Sequence, residues 1–180
     1  SLQVSFGVNT LALNGGRPEQ LNLKDILSAF LSFREEVITR RTLYELGKAR
    51  ERAHLLLGLS VAVTNIDDVI ALIRKSPDPN KAREELMSKA WPAKDIQGFL
   101  GALGEVQKDL SGKVYQLSEA QAKGILELRL QRLTALERDK IADELRELTE
   151  QINDFLDILK SRGRLLDIVR TELKEVQEKF

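Results

Sequence analysis

The sequence predicts a mainly α fold: a long antiparallel coiled-coil arm, a small helical globule at its tip, and a short β-hairpin at the N-terminus. Three observations carry this. Apolar residues recur at spacings near three and four for roughly 40 residues after Asn22. A seven-residue apolar repeat runs from Ile141 to Phe180, and about 70 residues of shorter periodic segments separate the two stretches. Pro18, Pro77, Pro79 and Pro92 all fall outside the long stretches, as they must, because proline breaks a helix interior.

Residues 1–21 are expected to form the hairpin. Leu2-Gln3-Val4-Ser5-Phe6-Gly7-Val8-Asn9 alternates apolar and polar residues, and Asn14-Gly15-Gly16 supplies the positive-φ positions of a tight turn. An isolated two-stranded ribbon is marginal in water, so the strand is expected to complete a sheet in a neighbouring domain. Ser1 stands where a start Met would, and no basic stretch and apolar signal core follow it, which suggests a segment of a longer chain.

Asn22 is placed to cap the outgoing helix, residues 22–64, in which Leu23, Ile26, Leu27, Phe30, Leu31, Val37, Ile38 and Tyr44 form the apolar stripe. Gly47 and Gly58 are its weak points. Residues 65–133 are expected to form the globule. Asn65-Ile66-Asp67-Asp68 reads as a cap signal before Ile66, Val69, Ile70 and Ile73, and Ser76-Pro77-Asp78-Pro79 ends that segment. Short helices are expected over 80–89 and 93–103. Gly98, Gly101, Gly104 and Gly112 predict irregular chain up to Tyr115. Two capping boxes, Ser118-Glu119-Ala120-Gln121 and Thr134-Ala135-Leu136-Glu137, each start a helix. Residues 134–180 form the return helix, with Ile141, Leu145, Leu148, Ile152, Phe155, Leu159, Leu166, Val169, Leu173, Val176 and Phe180 in heptad positions. Only Arg162 breaks the stripe, and Ser161 and Gly163 are points of possible interruption.

With 180 residues, 42% apolar and 31% charged, the chain has the composition of a soluble globular protein and needs no staple. No cysteine and a single histidine, His54, remove disulfides, thiolate nucleophiles, Cys/His zinc sites and most triad chemistry. The longest apolar stretch, Leu55 to Val63, is too short to span a bilayer. Ser111-Gly112-Lys113-Val114 fails as a phosphate loop, because Gln107 stands where the first glycine belongs and no hydroxyl follows Lys113. His54 lies among Arg50, Arg52 and leucines and reads as structural. Asp67-Asp68 and Glu84-Glu85 diverge on a helix and read as cap or surface groups rather than metal ligands. Tyr44 and Tyr115 read as packing residues.

Twenty-eight basic residues balance 28 acidic ones, so polyanion binding has to come from a local patch. Arg34, Arg41, Lys48 and Arg52, at spacings of seven, seven and four, form a basic rail on the outgoing helix, widened by Arg40 and Arg50. It is either a solvated face with local pairing, such as Glu36 to Arg40, or a rail facing a polyanion. Residues 135–180 carry 12 acids and nine bases, so part of the rail can pair with the return helix. Ala122, Ile125, Leu126, Leu128, Leu130 and Leu133 cover more than half of their helix, which is either the centre of the globule or a partner interface.

Leu117-Ser118-Glu119-Ala120-Gln121-Ala122 followed by Ile125-Leu126-Glu127-Leu128-Arg129-Leu130-Gln131-Arg132-Leu133-Thr134 resembles the signature of bacterial type IIA topoisomerase A subunits. Val4 to Asn9, Asn22 to Ile26, Arg40-Arg41-Thr42 with Ala49 to His54, and Asn65-Ile66-Asp67 are similar to DNA gyrase A subunits. Ala53-His54-Leu55-Leu56 and the stretch from Arg83 to Trp91-Pro92 look gyrase-like rather than topoisomerase IV-like. The resemblance implies the end of the tower domain, the coiled-coil arms and an exit-gate globule that makes a homodimer contact, expected through Ile70, Ile73, Ile125, Leu126 and Leu128. It also implies non-specific contact with double-stranded DNA, a B-subunit partner that brings the Mg and ATP sites, a cytoplasmic, nucleoid-associated location and no membrane. The family's cleaving tyrosine sits in an Ala-Arg-Tyr-type motif that this sequence lacks, so no cleavage chemistry is expected here.

Overall fold

The computed structural model describes residues 3–4, 7, 9–92, 96, 99, 114–127 and 135–179, the side chains of 135–137 excepted. In chain order the described elements are β1 (Leu11–Asn14), β2 (Arg17–Gln20), α1 (Leu23–Thr64), α2 (Ile66–Lys75), α3 (Pro79–Ser88), β3 (Trp91–Pro92), β4 (Val114–Tyr115), α4 (Glu119–Glu127), α5 (Ala135–Lys160) and α6 (Arg162–Lys179). The fold class is the expected one, mainly helical with an N-terminal hairpin. The chain divides into two compact units, residues 1–42 with 158–180, and residues 43–157.

In the first unit, β1 and β2 pair antiparallel with Leu11 opposite Gln20 and Asn14 opposite Arg17. Gly15 and Gly16 lie at φ 58° and 81°, the two left-handed positions of a two-residue hairpin turn, which only glycine occupies without Cβ strain. The strands therefore sit directly against the turn. Gln3, Val4, Gly7 and Asn9 belong to no strand, which corrects the expected strand at residues 2–9 as far as that run is described. The Leu21 amide donates to the Thr10 carbonyl at 2.9 Å and closes the hairpin. Asn22 Oδ1 then accepts the Asp25 amide at 2.9 Å, so Asn22 is the cap of α1. Ile38 of α1 packs with Leu165 and Val169 of α6, and Ile168 flanks them.

In the second unit, one shallow groove brings Tyr44, Lys48 and Arg52 of α1 against Leu148, Gln151 and Phe155 of α5. Another brings Ser60 and Thr64 against Arg138 and Ile141. The residue numbers rise on one helix as they fall on the other, so α1 and α5 run antiparallel. Ala49, Ala53, Leu56 and Leu57 of α1 are buried, as are Leu145 and Ile152 of α5. Each fully buried Leu or Ile contributes about 1.5–3 kcal/mol relative to exposure.

The return strand of the coiled coil is two helices rather than one. The break falls at Ser161, whose Oγ accepts the Arg164 amide at 3.4 Å. The seam slips there: Ile158 and Leu165 are buried where the heptad rule expects Leu159 and Leu166, which are half-buried. At Val169 the expected position is buried again, and Leu173 and Val176 are exposed.

α2 leaves α1 at 90° after a single residue, Asn65. The expected side-chain cap is absent, because Asn65 Nδ2 instead donates to the Val61 carbonyl at 2.8 Å and the Pro92 carbonyl at 3.1 Å. The amide ties the end of α1 to β3, and α2 begins uncapped. α3 has Pro79 in its first turn and an Asp78 cap that accepts the Lys81 amide, so it starts one residue before the expected 80. It packs against α2 and α4. Trp91 is fully buried with Nε1 donating to the Leu86 carbonyl at 2.9 Å. The β3–β4 ladder, Trp91 opposite Tyr115, is a feature the sequence did not announce. The expected helix at 93–103 and the second capping box lie largely outside the described residues.

Candidate functional site

The single histidine belongs to a buried polar latch in the second unit. Ser118 and Gln121 form the expected capping box: the Ser118 amide donates to Gln121 Oε1 at 2.9 Å, and the Gln121 amide donates to Ser118 Oγ at 3.2 Å. Gln121 is 1% exposed and reaches further than a box requires. Its Nε2 donates to the His54 carbonyl at 2.7 Å and to the Tyr115 hydroxyl at 2.9 Å. His54 Nε2 lies 2.7 Å from Ser118 Oγ. The side chain approaches so closely because position 58 of α1 is glycine; a Cβ there would fall 2.6 Å from Gln121 Cβ and Cγ. α1, β4 and α4 are thus fastened through one amide, and His54 and Tyr115 act as structural groups. Tyr44, also expected to pack, is instead 68% exposed, with the Lys48 ammonium 5.8 Å from its ring centre.

The four rail cations, Arg34, Arg41, Lys48 and Arg52, are each ion-paired. In the first unit Arg34 and Arg41 both reach Glu172 of α6, Arg41 at 2.5 Å, and Glu36 pairs with Arg40 at i,i+4 as the spacing implied. Arg162, the one charge in the heptad stripe, turns outward to Glu35 at 2.9 Å, and that bond raises its pKa above the usual arginine range. In the second unit Arg52 forks onto Glu144 of α5 at 2.7 and 3.1 Å. Its pKa is raised, chiefly by that hydrogen bond. Lys48 pairs within its own helix with Glu51 at 3.1 Å, which holds its pKa above the usual lysine value, first by the hydrogen bond and then by charge. Sequence spacing located the cations but not their partners, since the partners lie up to 138 residues away.

Of the expected contact residues, Ile70, Ile73 and Leu126 are half-buried and Ile125 is 1% exposed, part of the chain's own core. Leu128 lies outside the described residues. Among the described residues no group of three His, Asp or Glu could hold a metal ion. Asp68 pairs with Lys89 and Glu84 with Lys81, both on the surface, and Glu85 accepts from Ser76 Oγ at 3.1 Å. Among the described residues no single helix is long and apolar enough to cross a membrane.

The chain belongs to the family of DNA gyrase and topoisomerase IV A subunits, whose model matches residues 1–174. It is 50% identical over 177 residues to the DNA gyrase A subunit from Granulibacter bethesdensis, covering 98% of this chain and 19% of that protein. It is 49% identical over 180 residues to that of Rickettsia bellii and 44% identical over 188 residues to that of Pseudomonas aeruginosa, covering 99% of this chain and 20% of each relative. The chain thus spans about a fifth of the length of these relatives.

Proposed function

We propose that the chain is the coiled-coil and exit-gate portion of the DNA-breakage-reunion subunit of a gyrase. It dimerises to close the cavity that a duplex crosses during ATP-dependent supercoiling. The observation that carries this reading is the family match over residues 1–174. No cleavage chemistry resides in the segment; Mg and ATP enter through the B subunit, and the chain works in the cytoplasm on nucleoid DNA. Because the family includes the topoisomerase IV A subunit, the equivalent region of that enzyme is the second reading. Supercoiling rather than decatenation by the holoenzyme separates the two.

The homodimer contact is assigned to Ile70, Ile73 and Leu126, half-buried apolar groups on α2 and α4, with Ile125 supporting them from the core and Leu128 continuing the same apolar run. A gate has to reopen, so a modest apolar interface is expected rather than an interlocked core. Sedimentation equilibrium of Ile70→Glu and Leu126→Glu tests this, with circular dichroism to verify helix content. Folded variants that remain dimeric place the interface elsewhere; a monomeric unmodified chain at high micromolar concentration removes the gate reading.

A further inference from the structure

Glu172 of α6 is held by two arginines, one heptad apart on α1. Arg34 reaches its Oε2 and Arg41 its Oε1, the latter at 2.5 Å. This differs from the one-to-one pairs Arg52–Glu144 and Arg162–Glu35, because two guanidinium groups on one carboxylate leave an excess positive charge. The Arg34 and Glu172 side chains are about three-quarters buried, whereas Arg41 remains 44% exposed. The three side chains flank the cluster of Ile38, Leu165 and Val169, which fixes the helices that carry them. Planar guanidinium forks that match a carboxylate also match the paired oxygens of a phosphate. The unit around them carries eleven Lys and Arg against eight Asp and Glu, so the trio sits in the electropositive part of a chain whose net charge is zero.

We propose that Arg34 and Arg41 form a phosphate subsite for a DNA duplex and that Glu172 is its built-in competitor, a carboxylate occupying the place of a backbone phosphate. This rests on the proposed function, with the basic rail of Arg34, Arg41, Lys48 and Arg52 facing the duplex that crosses the cavity, and deepens it. When a duplex is absent, Glu172 keeps both arginines ordered and offsets one of their two charges. When one passes, a phosphate exchanges with the carboxylate, so the contact is weak and brief. Such exchange suits a duplex that has to move on, since a bare arginine pair would retain it.

Fluorescence anisotropy with a labelled duplex, across a salt series, tests this on the unmodified chain and on Glu172→Gln, which keeps the side chain's size. Glu172→Gln is expected to bind about three- to tenfold more tightly near 0.1 M salt, with a log–log salt slope steeper by about one. Adding Arg34→Ala and Arg41→Ala should cancel the gain. Thermal melting followed by circular dichroism verifies that each variant is folded. If the duplex binds and the arginine variants weaken it, but Glu172→Gln changes neither affinity nor slope, the competitor role is overturned while the rail reading stands. If no variant binds the duplex, or binding ignores Arg34 and Arg41, both fall. Inorganic phosphate against chloride at matched ionic strength provides the last arm. A gain in Glu172→Gln for inorganic phosphate alone, with none for the duplex, overturns the assignment to DNA.

Discussion

At the level of single residues, two glycines on one helix have opposite meanings. Gly47 has nothing within 4 Å of the place a Cβ would occupy, so it only adds backbone freedom to the unfolded chain. Gly47→Ala should stabilise the chain by about 0.5–1 kcal/mol in urea denaturation. Gly58→Ala gains the same propensity but drives a methyl into the Cβ and Cγ of Gln121, atoms too near the backbone to swing away. Overpacking costs about 1–3 kcal/mol, so a net destabilisation is expected. Gln121→Leu keeps the volume but orphans the His54 carbonyl bond, the Ser118 amide and the Tyr115 contact. At about 1–3 kcal/mol for a buried unsatisfied group, it should unfold at lower urea than Gln121→Glu rescued at acid pH, where the protonated acid supplies one donor. Lys48 gives a pH test with a definite sign. Its pKa is raised in the folded chain, so whatever the Glu51 pair contributes is complete below the ordinary lysine range and is lost as pH rises through the raised value. Glu51→Gln should return the Lys48 titration, followed by NMR, toward its ordinary value.

At the level of elements, the expectation is that Leu145→Ala and Ile152→Ala, each removing a side chain with 0% exposure from α5, lower stability by about 2–5 kcal/mol, while Leu173→Ala on α6, 42% exposed, costs far less. The contrast marks where the coiled coil is tightly seated. The sequence made much of this visible because local chemistry suffices for it: Asn22 caps α1, Pro79 and Asp78 open α3, and Ser118 with Gln121 opens α4. Other features depended on neighbours that periodicity does not encode. Asn65 resembles a cap, yet the 90° turn into α2 brings the Pro92 carbonyl within reach, and its amide goes there. The break falls at Ser161, one of the two residues expected to interrupt the helix, but the seating of the seam on Ile158 and Leu165 departs from the heptad pattern. Tyr44 fits the apolar stripe of α1 but is 68% exposed, lining a shallow groove with Gln151 and Phe155. The rail was legible as a row of cations, whereas Glu172 and Glu144, its partners, were two acids among twelve in the return segment.

For the whole molecule, a net charge of zero conceals a division. Residues 1–42 with 158–180 carry three more basic than acidic residues, and residues 43–157 carry three more acidic than basic. The rail crosses that division, so its four cations should not act alike. Arg34 and Arg41 lie in the basic unit and share one carboxylate; Lys48 and Arg52 lie in the acidic unit, each with a carboxylate of its own. Reversing Arg41 to Glu therefore places two carboxylates together beside Arg34 and turns the excess positive charge into an excess negative one. Reversing Lys48 only exchanges one exposed pair for a like-charge i,i+3 contact with Glu51, a small loss that water and salt screen. If the duplex meets the basic unit, Arg41→Glu should slow strand passage by the reconstituted holoenzyme several-fold and flatten its salt dependence, with Lys48→Glu close to unmodified. On the proposed function the covalent step lies outside this segment, so cleavage of DNA should stay intact in both; Tyr115 is buried against Gln121, and no covalent adduct is expected at it or at Tyr44. Equal slowing by the two reversals would mean that the duplex reads the rail as a continuous line of charge, and unchanged passage in both would return all four cations to ion pairing alone, between helices for Arg34, Arg41 and Arg52 and within α1 for Lys48.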